Sequence, residues 1–534
     1  MGLPVKQVRK RAEKAFEEKD NSASYLEEAY MYAAPQRNLY NQTTPGVQKN
    51  RHLFDSTLLV STRKSANKFV NLMFPAFQDW LKVEAGAKWD GNKDFKNKLN
   101  KQLQDRTKKI FDIIHHRSNF QNAIGEFTLD MMIANGILTV QKGNIREPVN
   151  FRAVPQLQVA VEIGPFGSDG GKFRKFSLPV DQIEATWPDV KHTPAMIEAK
   201  KDDPSKKFEV MECLYIDYDT EEIFYDVLCK GSSDSMDRIV ERTLRRDPYV
   251  IGRMMKAANE AMGRGHVLDA LPDAKTLNKL VELTLKNATL AVSGVFTVVD
   301  DGVINPENVQ ISPLSFIPVA RNTGHPAGPS IEPLGRSGDF NISFLEQERL
   351  QDSIKKVMMD NELPPLTGQP RTAAEIISRI RQFVDDQGAT YGRIVRDVVT
   401  PIWANTDDIL THDWGILEPI HGPNGEELKF DGEGLALKIT SPLAQQQNLN
   451  EVEAVTQAIE ISRALFGPEI TALNYKMQEI PSWIGRQLGV DEDLIADKNT
   501  RDQAADVAMR AVAEVEQNNP GAGLGLVNQS LRGN

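Results

Sequence analysis

The chain has 534 residues, 40% hydrophobic and 26% charged, a globular composition that excludes a wholly disordered polymer. Its 63 basic and 74 acidic side chains give a net charge of −11, which excludes a protein that grips nucleic acid over a broad basic surface. Two cysteines, Cys213 and Cys229, exclude a disulfide-stapled secreted scaffold, point to a reducing compartment, and sit in apolar strand patterns as small buried hydrophobes. The length suggests three or four folding units. No stretch reaches the roughly 18–20 apolar residues of a membrane span. Met1-Gly2-Leu3-Pro4 runs straight into a charged amphipathic segment with no apolar core, so no secretory leader is expected.

In chain order, residues 5–34 carry Val5, Val8, Ala12, Ala15 and Phe16, then Tyr25, Leu26, Ala29 and Tyr32, at helical spacing up to Pro35. After a polar loop at 41–50, Phe54-Asp55-Ser56-Thr57 opens a helix capped by Asp55 or Ser56 and stopped by Pro75. Trp80 to Val83 reads as a strand. Residues 93–135 are helical again and open with Lys93, Lys96, Lys98, Lys101, Arg106, Lys108 and Lys109 against Asp94 and Asp105. No aromatic residues interleave this run, so a solvated helix face fits it better than a nucleic-acid patch. From Gly136 to residue 250, short alternating runs and turn clusters predict antiparallel strands, with a helical insertion at 179–201. Residues 272–292 form a helix with Leu277, Leu280, Val281, Leu285 and Leu290 as its stripe, 294–340 a module rich in Pro and Gly, and 344–359 another helix.

A breaker-dense loop then leads to Thr372-Ala373-Ala374-Glu375, a capping box opening a helix of about 39 residues, roughly 58 Å, that Gly388, Gly392 and Pro401 should bend. Strands at 428–430 and 436–440, helices at 442–465 and 468–516, and a glycine-rich flexible tail at 517–534 complete the order.

Candidate chemistry is sparse. His115 and His116 are adjacent and point apart on a helix, so they cannot share a metal. His412-Asp413 resembles a dyad without a nucleophile. No phosphate-binding loop, nucleophile elbow or zinc-protease signature occurs. Asp217-Tyr218-Asp219 has the spacing of a divalent-cation turn but lies between two strands, where a hairpin turn explains it. The expectation is therefore no catalytic residue, no metal and no cofactor, hence a structural or assembly role rather than an enzyme.

Two segments carry a resemblance. Phe54-Asp55-Ser56-Thr57 is followed by a helix with Met73-Phe74-Pro75 and Trp80. Leu366-Thr367-Gly368 leads into Thr372-Ala373-Ala374-Glu375-Ile376 with Arg379 and Arg381. With the element order and the length, they resemble the portal proteins, or head-to-tail connectors, of short-tailed phages (podoviruses). The resemblance implies an α+β, mainly helical fold with wing, stem, clip and crown and one long kinked helix. By position, 1–271 would be wing, 272–292 and 341–359 the stem helices, and 293–340 the clip. Residues 360–371 would be a tunnel loop, 372–449 the spine helix and β segment of the wing, 450–516 the crown, and 517–534 a flexible tail.

It implies a homo-oligomeric ring of twelve at one capsid vertex, passing double-stranded DNA for packaging and ejection. The implied partners are the major capsid protein, scaffolding protein, terminase large subunit, tail adaptor protein and internal core proteins, with no membrane. The protein would reside in the virion and be assembled in the host cytoplasm. Lys355, Lys356, Leu363, Leu366 and Arg371 are the candidate channel residues; for Lys355, Lys356 and Arg371 a solvated helix end with an intersubunit salt bridge is the alternative. Another virion or tail protein, or a metal-dependent hydrolase using Asp217 and Asp219, stays open. A ring carrying −11 per copy would repel DNA on average, which suits a channel through which DNA must slide.

Overall fold

The computed structural model describes residues 2–38, 47–218, 220, 222–230, 236–293, 296–298, 331–333, 340–360, 392–423, 425–428, 430, 432–440, 442–475 and 479–487. They belong to two compact units, one drawn from residues 1–77, 83–370 and 387–437, the other from 78–82, 371–386 and 438–534. The fold mixes helix and sheet.

In the first unit, five helices come first: α1 (Val5–Asp20), α2 (Ala23–Ala33), α3 (Thr57–Met73), α4 (Lys93–His116) and α5 (Phe120–Ile133); between α3 and α4 the chain forms the strand β1 (Leu81–Ala85), whose first two residues belong to the second unit. Pro75 ends α3 by pushing the residue before it out of the helical region, and Phe74 sits at φ −132°. Next come β2 (Asn135–Lys142), β3 (Val149–Ala153), β4 (Val159–Ile163), β5 (Asp169–Pro179), β6 (Lys207–Ile216), β7 (Ile223–Lys230), β8 (Met236–Leu244) and β9 (Tyr249–Arg253). β4 to β8 form one antiparallel sheet in chain order, while β2 pairs with both β3 and β9 in a second. α6 (Val180–Thr186) and α7 (Pro194–Asp202) fill the predicted insertion between β5 and β6.

The five-stranded sheet is covered on both faces. Strand alternation sends Val210 and Leu214 of β6 to one side with Val180, Ile183 and Trp187, and Met211, Cys213 and Tyr215 to the other with Val8, Ala12 and Ala15 of α1. Cys213 and Cys229 lie buried in these two different clusters, so they are core hydrophobes and not a disulfide pair. Burial pushes the Cys229 thiol up to about 11.

The same alternation buries charge. Glu212 accepts from the hydroxyls of Tyr225 at 2.8 Å and Tyr249 at 2.5 Å and pairs with Arg174 at 3.4 Å. On the opposite face Asp226 accepts from Tyr215 at 3.0 Å and pairs with Arg238 at 3.0 Å. Both carboxylates are buried; both oxygens of Glu212 are bonded, whereas Asp226 takes both of its partners on Oδ2 and its Oδ1 has none among the described residues.

The predicted long helix enters the described residues at Gly392. It is widened at Val395–Val399 into a π turn, continues as Thr400–Asp408, and widens again at Ile409–Asp413. Pro401 has no N–H to give and its ring crowds the carbonyl four residues back, so the turn before it opens. Thr400 closes the wider turn with its hydroxyl on the Val395 carbonyl at 3.0 Å. Of the strand expected at 428–430, Leu428 and Phe430 are not in a strand and residue 429 lies outside the described residues; the strand expected at 436–440 is Leu435–Ile439.

In the second unit the helix Pro442–Asn474 is broken at Gly467, where φ is 82° and only glycine is free of strain. A short helix, Ile480–Gln487, follows. Ile461, Leu465, Phe466 and Ile470 are exposed along the first of these. Residues 488–534, and with them the predicted tail, lie outside the described residues.

Candidate functional site

The most distinctive construction is a helical hairpin and the residues that hold its root. α8 (His266–Ser293) spans 28 residues, about 42 Å, and α9 (Phe340–Val357) spans 18 residues, about 27 Å. α8 starts six residues before the expected 272, because Pro272 is accommodated inside it among buried Val267, Ala270, Leu271 and Ala274. Gln347 donates to Thr284 Oγ1 at 3.1 Å and Ser353 to Asp273 at 2.7 Å, so the two helices run antiparallel. Beyond their far ends, β12 (Phe296–Val298) and β13 (Ile331–Pro333) pair antiparallel.

Burial divides the hairpin along its length. Near the root Leu277, Ile354 and Met358 are fully buried. Toward the far end Leu283 is 51% exposed, Leu285 53%, Phe344 58% and Leu345 68%. The sequence-level stripe is therefore split: Leu277 is core, Leu280 and Val281 are half-buried, and Leu285 faces out.

The root is gripped by the segment 54–65. Asn278 of α8 accepts from the backbone N–H groups of Phe54 at 2.7 Å and Asp55 at 3.2 Å, and donates to the His52 carbonyl at 3.1 Å. Asp55 accepts from the Thr57 N–H at 2.8 Å and from Gln351 of α9 at 3.1 Å. Ser56 makes no capping bond, which resolves the two capping candidates in favour of Asp55. One turn on, Ser61 donates to Asp360 at 2.8 Å and Ser65 to the Met358 carbonyl. The Phe54-Asp55-Ser56-Thr57 motif thus ties α3 to both helices of the hairpin.

Of the candidate channel residues, Lys355 and Lys356 lie exposed in the last turn of α9, where a cation suits the negative helix end, and Lys355 faces Asp352 at 4.0 Å. Leu363, Leu366 and Arg371 lie outside the described residues.

Elsewhere the readings by chemistry separate. Asp217 opens the β6–β7 hairpin, its N–H on the Glu222 carbonyl at 3.0 Å, while Asp219 lies outside the described residues. Among the described residues no group of three or more His, Cys, Asp or Glu could hold a metal ion. His412-Asp413 is not a dyad. His412 sits between Asp408 at 3.1 Å and Glu427 at 3.2 Å, and Asp413 turns to Arg245 at 3.0 Å. The basic run of α4 is not one patch either. Arg106 turns inward to Asp407 at 2.6 Å, and Lys96 pairs with Asp90 at 2.5 Å.

An open cleft of about 490 Å³ lies beside the Ile409–Asp413 turn, rimmed by Arg242, Arg245 and Arg246. Each of these arginines already faces an aspartate, Asp189 for the first and Asp408 for the other two. The cleft therefore presents a neutralised rim rather than an anion site.

Sequence reasoning missed Asn278, Gln351, Ser61, Ser65 and Asp360. The signal was the recurrence of Ser61, Lys64, Ser65 and Lys68 at three- and four-residue spacing on one face of the helix.

The family model for "Bacteriophage head to tail connecting protein" matches residues 5–495. The portal protein of Escherichia phage T7 is 23% identical over 156 residues, 29% of this chain and 28% of that protein. Among solved structures, the neck of an empty gene transfer agent particle computed with C6 symmetry aligns over 80% of this chain and 96% of that one, at 14% identity and a TM-score of 0.33. The neck of the native particle computed with C12 symmetry aligns over 79% and 91%, at 15% identity and a TM-score of 0.32.

Proposed function

The chain belongs to the bacteriophage head to tail connecting protein family, and we propose that it is the portal of a short-tailed phage. Twelve copies form a ring at one capsid vertex. The ring carries the channel for double-stranded DNA during packaging and ejection, and docks the packaging terminase and afterwards the tail adaptor. The major capsid protein, scaffolding protein and internal core proteins meet it within the head. In this reading 1–271 is wing, 272–292 and 341–359 are stem, 293–340 is clip, 360–371 is the tunnel loop, 372–449 is spine and β segment, and 450–516 is crown. Lys355, Lys356, Leu363, Leu366 and Arg371 face the channel.

The observation that carries the reading is the family match across residues 5–495. The hairpin α8–α9 supports it. Leucine and phenylalanine side chains left wet on its far half cost roughly 25 cal/mol per Å² of apolar surface, and neighbouring copies in a ring would cover them. The net charge also supports it. Twelve copies at −11 each carry −132, which opposes static binding of a polyanion and favours sliding.

The test is direct. Purified full-length protein is imaged by negative-stain microscopy and weighed by native mass spectrometry at micromolar concentration. Rings with a central hole near twelve copies are expected; a stable monomer overturns the proposal.

A further inference from the structure

α9 does not simply run out. The Asp360 N–H reaches the Lys355 carbonyl at 2.8 Å and the Met359 N–H the Lys356 carbonyl at 3.0 Å, the paired bonds of a Schellman stop. The residue that reverses the chain in such a stop has positive φ and is usually glycine. Here it is Met359, at φ 56°. A side chain in that region is held at a conformational cost and persists where its surroundings enforce it.

The enforcement comes from one face of α3. Ser61, Lys64, Ser65 and Lys68 recur at the three- and four-residue spacing that lines up side chains on a helix. Ser65 donates to the Met358 carbonyl, Lys68 to the Met359 carbonyl at 3.4 Å, and Ser61 to Asp360 Oδ2 at 2.8 Å. Lys64 stands 3.9 Å from Asp360 Oδ1, and the Asp360 side chain is only 9% exposed. Three consecutive residues at the exit of α9 are thus each held by the same stripe. The neighbouring Thr62 shows the ordinary alternative, bonding back to the Leu58 carbonyl of its own helix at 2.7 Å. Ser61 and Ser65 spend their hydroxyls across the interface instead.

We infer that this stripe is a clamp that sets the direction in which the chain leaves α9, with Asp360 as its positioning residue. The functional half of this inference rests on the portal reading. There the segment after Asp360 is the loop that meets DNA, so the clamp fixes the loop root to α3 and not to the stem hairpin alone.

The test uses the full-length protein with Asp360→Ala, Asp360→Asn and Ser61→Ala. Hydrogen exchange of the amides at 357–360 should quicken at least tenfold in Asp360→Ala. In Ser61→Ala, and in Asp360→Asn, which keeps an acceptor for Ser61, it should quicken about threefold. Exchange in α8 and the body of α9 should stay unchanged. Unaltered exchange at 357–360, or equal quickening throughout the hairpin, overturns the clamp.

The second arm complements phage lacking this gene. Asp360→Ala should give rings of normal size and heads that lose at least half of their DNA, with Asp360→Asn restoring most of it. Heads of normal DNA content in the presence of a loosened root overturn the positioning role. A wild-type protein that forms no rings defeats the portal reading, and the exchange result still decides the clamp.

Discussion

The five-stranded sheet β4–β8 and the hairpin α8–α9 are built on opposite principles. The sheet completes itself. Both faces are covered from within the chain, and even its buried carboxylates find partners there, Asp226 in Tyr215 and Arg238 of adjoining strands, Glu212 in Tyr225 and Arg174 of adjoining strands and in Tyr249 of β9. The hairpin completes only its root. Leu277 and Met358 are sealed by the chain, while Leu285 and Leu345 are more than half exposed. A region that buries its own apolar surface stabilises the monomer. A region that leaves it bare holds its stabilisation in reserve for another molecule.

The difference can be broken most forcefully in the sheet. Glu212→Ala leaves two buried tyrosine hydroxyls without their acceptor and the buried Arg174 without its carboxylate, Gln158 being its remaining acceptor, and should cost about 3–5 kcal/mol in urea unfolding. A loss below about 1 kcal/mol would mean that the network is replaceable by water.

The hairpin offers a paired test. Leu277→Ala at the root should cost about 2–5 kcal/mol, whereas Leu285→Ala should change the stability of the chain by no more than about 0.5 kcal/mol. Leu285→Ala should instead weaken ring formation in native mass spectrometry. Equal stability losses at the two positions would erase the contrast.

A smaller effect sharpens the picture on the α1 side of the sheet. Lys19 of α1 is buried and donates to the Leu157 carbonyl. Burial lowers its pKa to about 8, against an unfolded value near 10.5, with Asp20 opposing the shift. Between those values the unfolded chain binds more protons than the folded one, so stability rises with pH across the window. Below about pH 8 the cost of the buried ammonium is present in full. Relative to Lys19→Met, the wild-type chain should gain roughly 1–3 kcal/mol between pH 8 and 10.5, read from chemical denaturation at each pH. A flat difference would show that Lys19 binds its proton equally in the folded and unfolded chains, its ammonium well hydrated in both.

The smallest expected effect is at the hairpin exit. Met359→Gly relieves the left-handed backbone and should stabilise by about 0.5 kcal/mol, after the greater freedom glycine gives the unfolded chain is subtracted. Destabilisation by more than about 1 kcal/mol would mean that the methionine side chain, not the clamp, holds the turn.

Much of the element order was legible. Alternation at 208–218 and 223–229 announced the strands Lys207–Ile216 and Ile223–Lys230, Pro75 announced the end of α3, and the gap between the helices predicted at 442–465 and 468–516 falls at Gly467. Legibility failed where a local rule met a distant partner. Pro272 read as the start of a helix, yet burial of the preceding turn carries α8 back to His266. Leu277 and Leu285 belong to one stripe in the sequence and to opposite environments in the fold. His412 and Asp413 are adjacent in the chain but are drawn apart by Asp408, Glu427 and Arg245. Positive φ at Met359 had no glycine to announce it.

By itself the sequence determined periodicity, breakers, caps and net charge, because each acts within a few residues or over the whole chain. It also carried Phe54-Asp55-Ser56-Thr57, one of the segments on which the resemblance rests. Only the tertiary structure decided what that motif is for. Asn278 meets the backbone of Phe54 from 224 residues away, and Ser61 meets Asp360 from 299. Hydrogen bonds of that span depend on where two helices come to rest, and that is fixed by the shared burial of Leu277, Ile354 and Met358 rather than by any local pattern around the bonded residues.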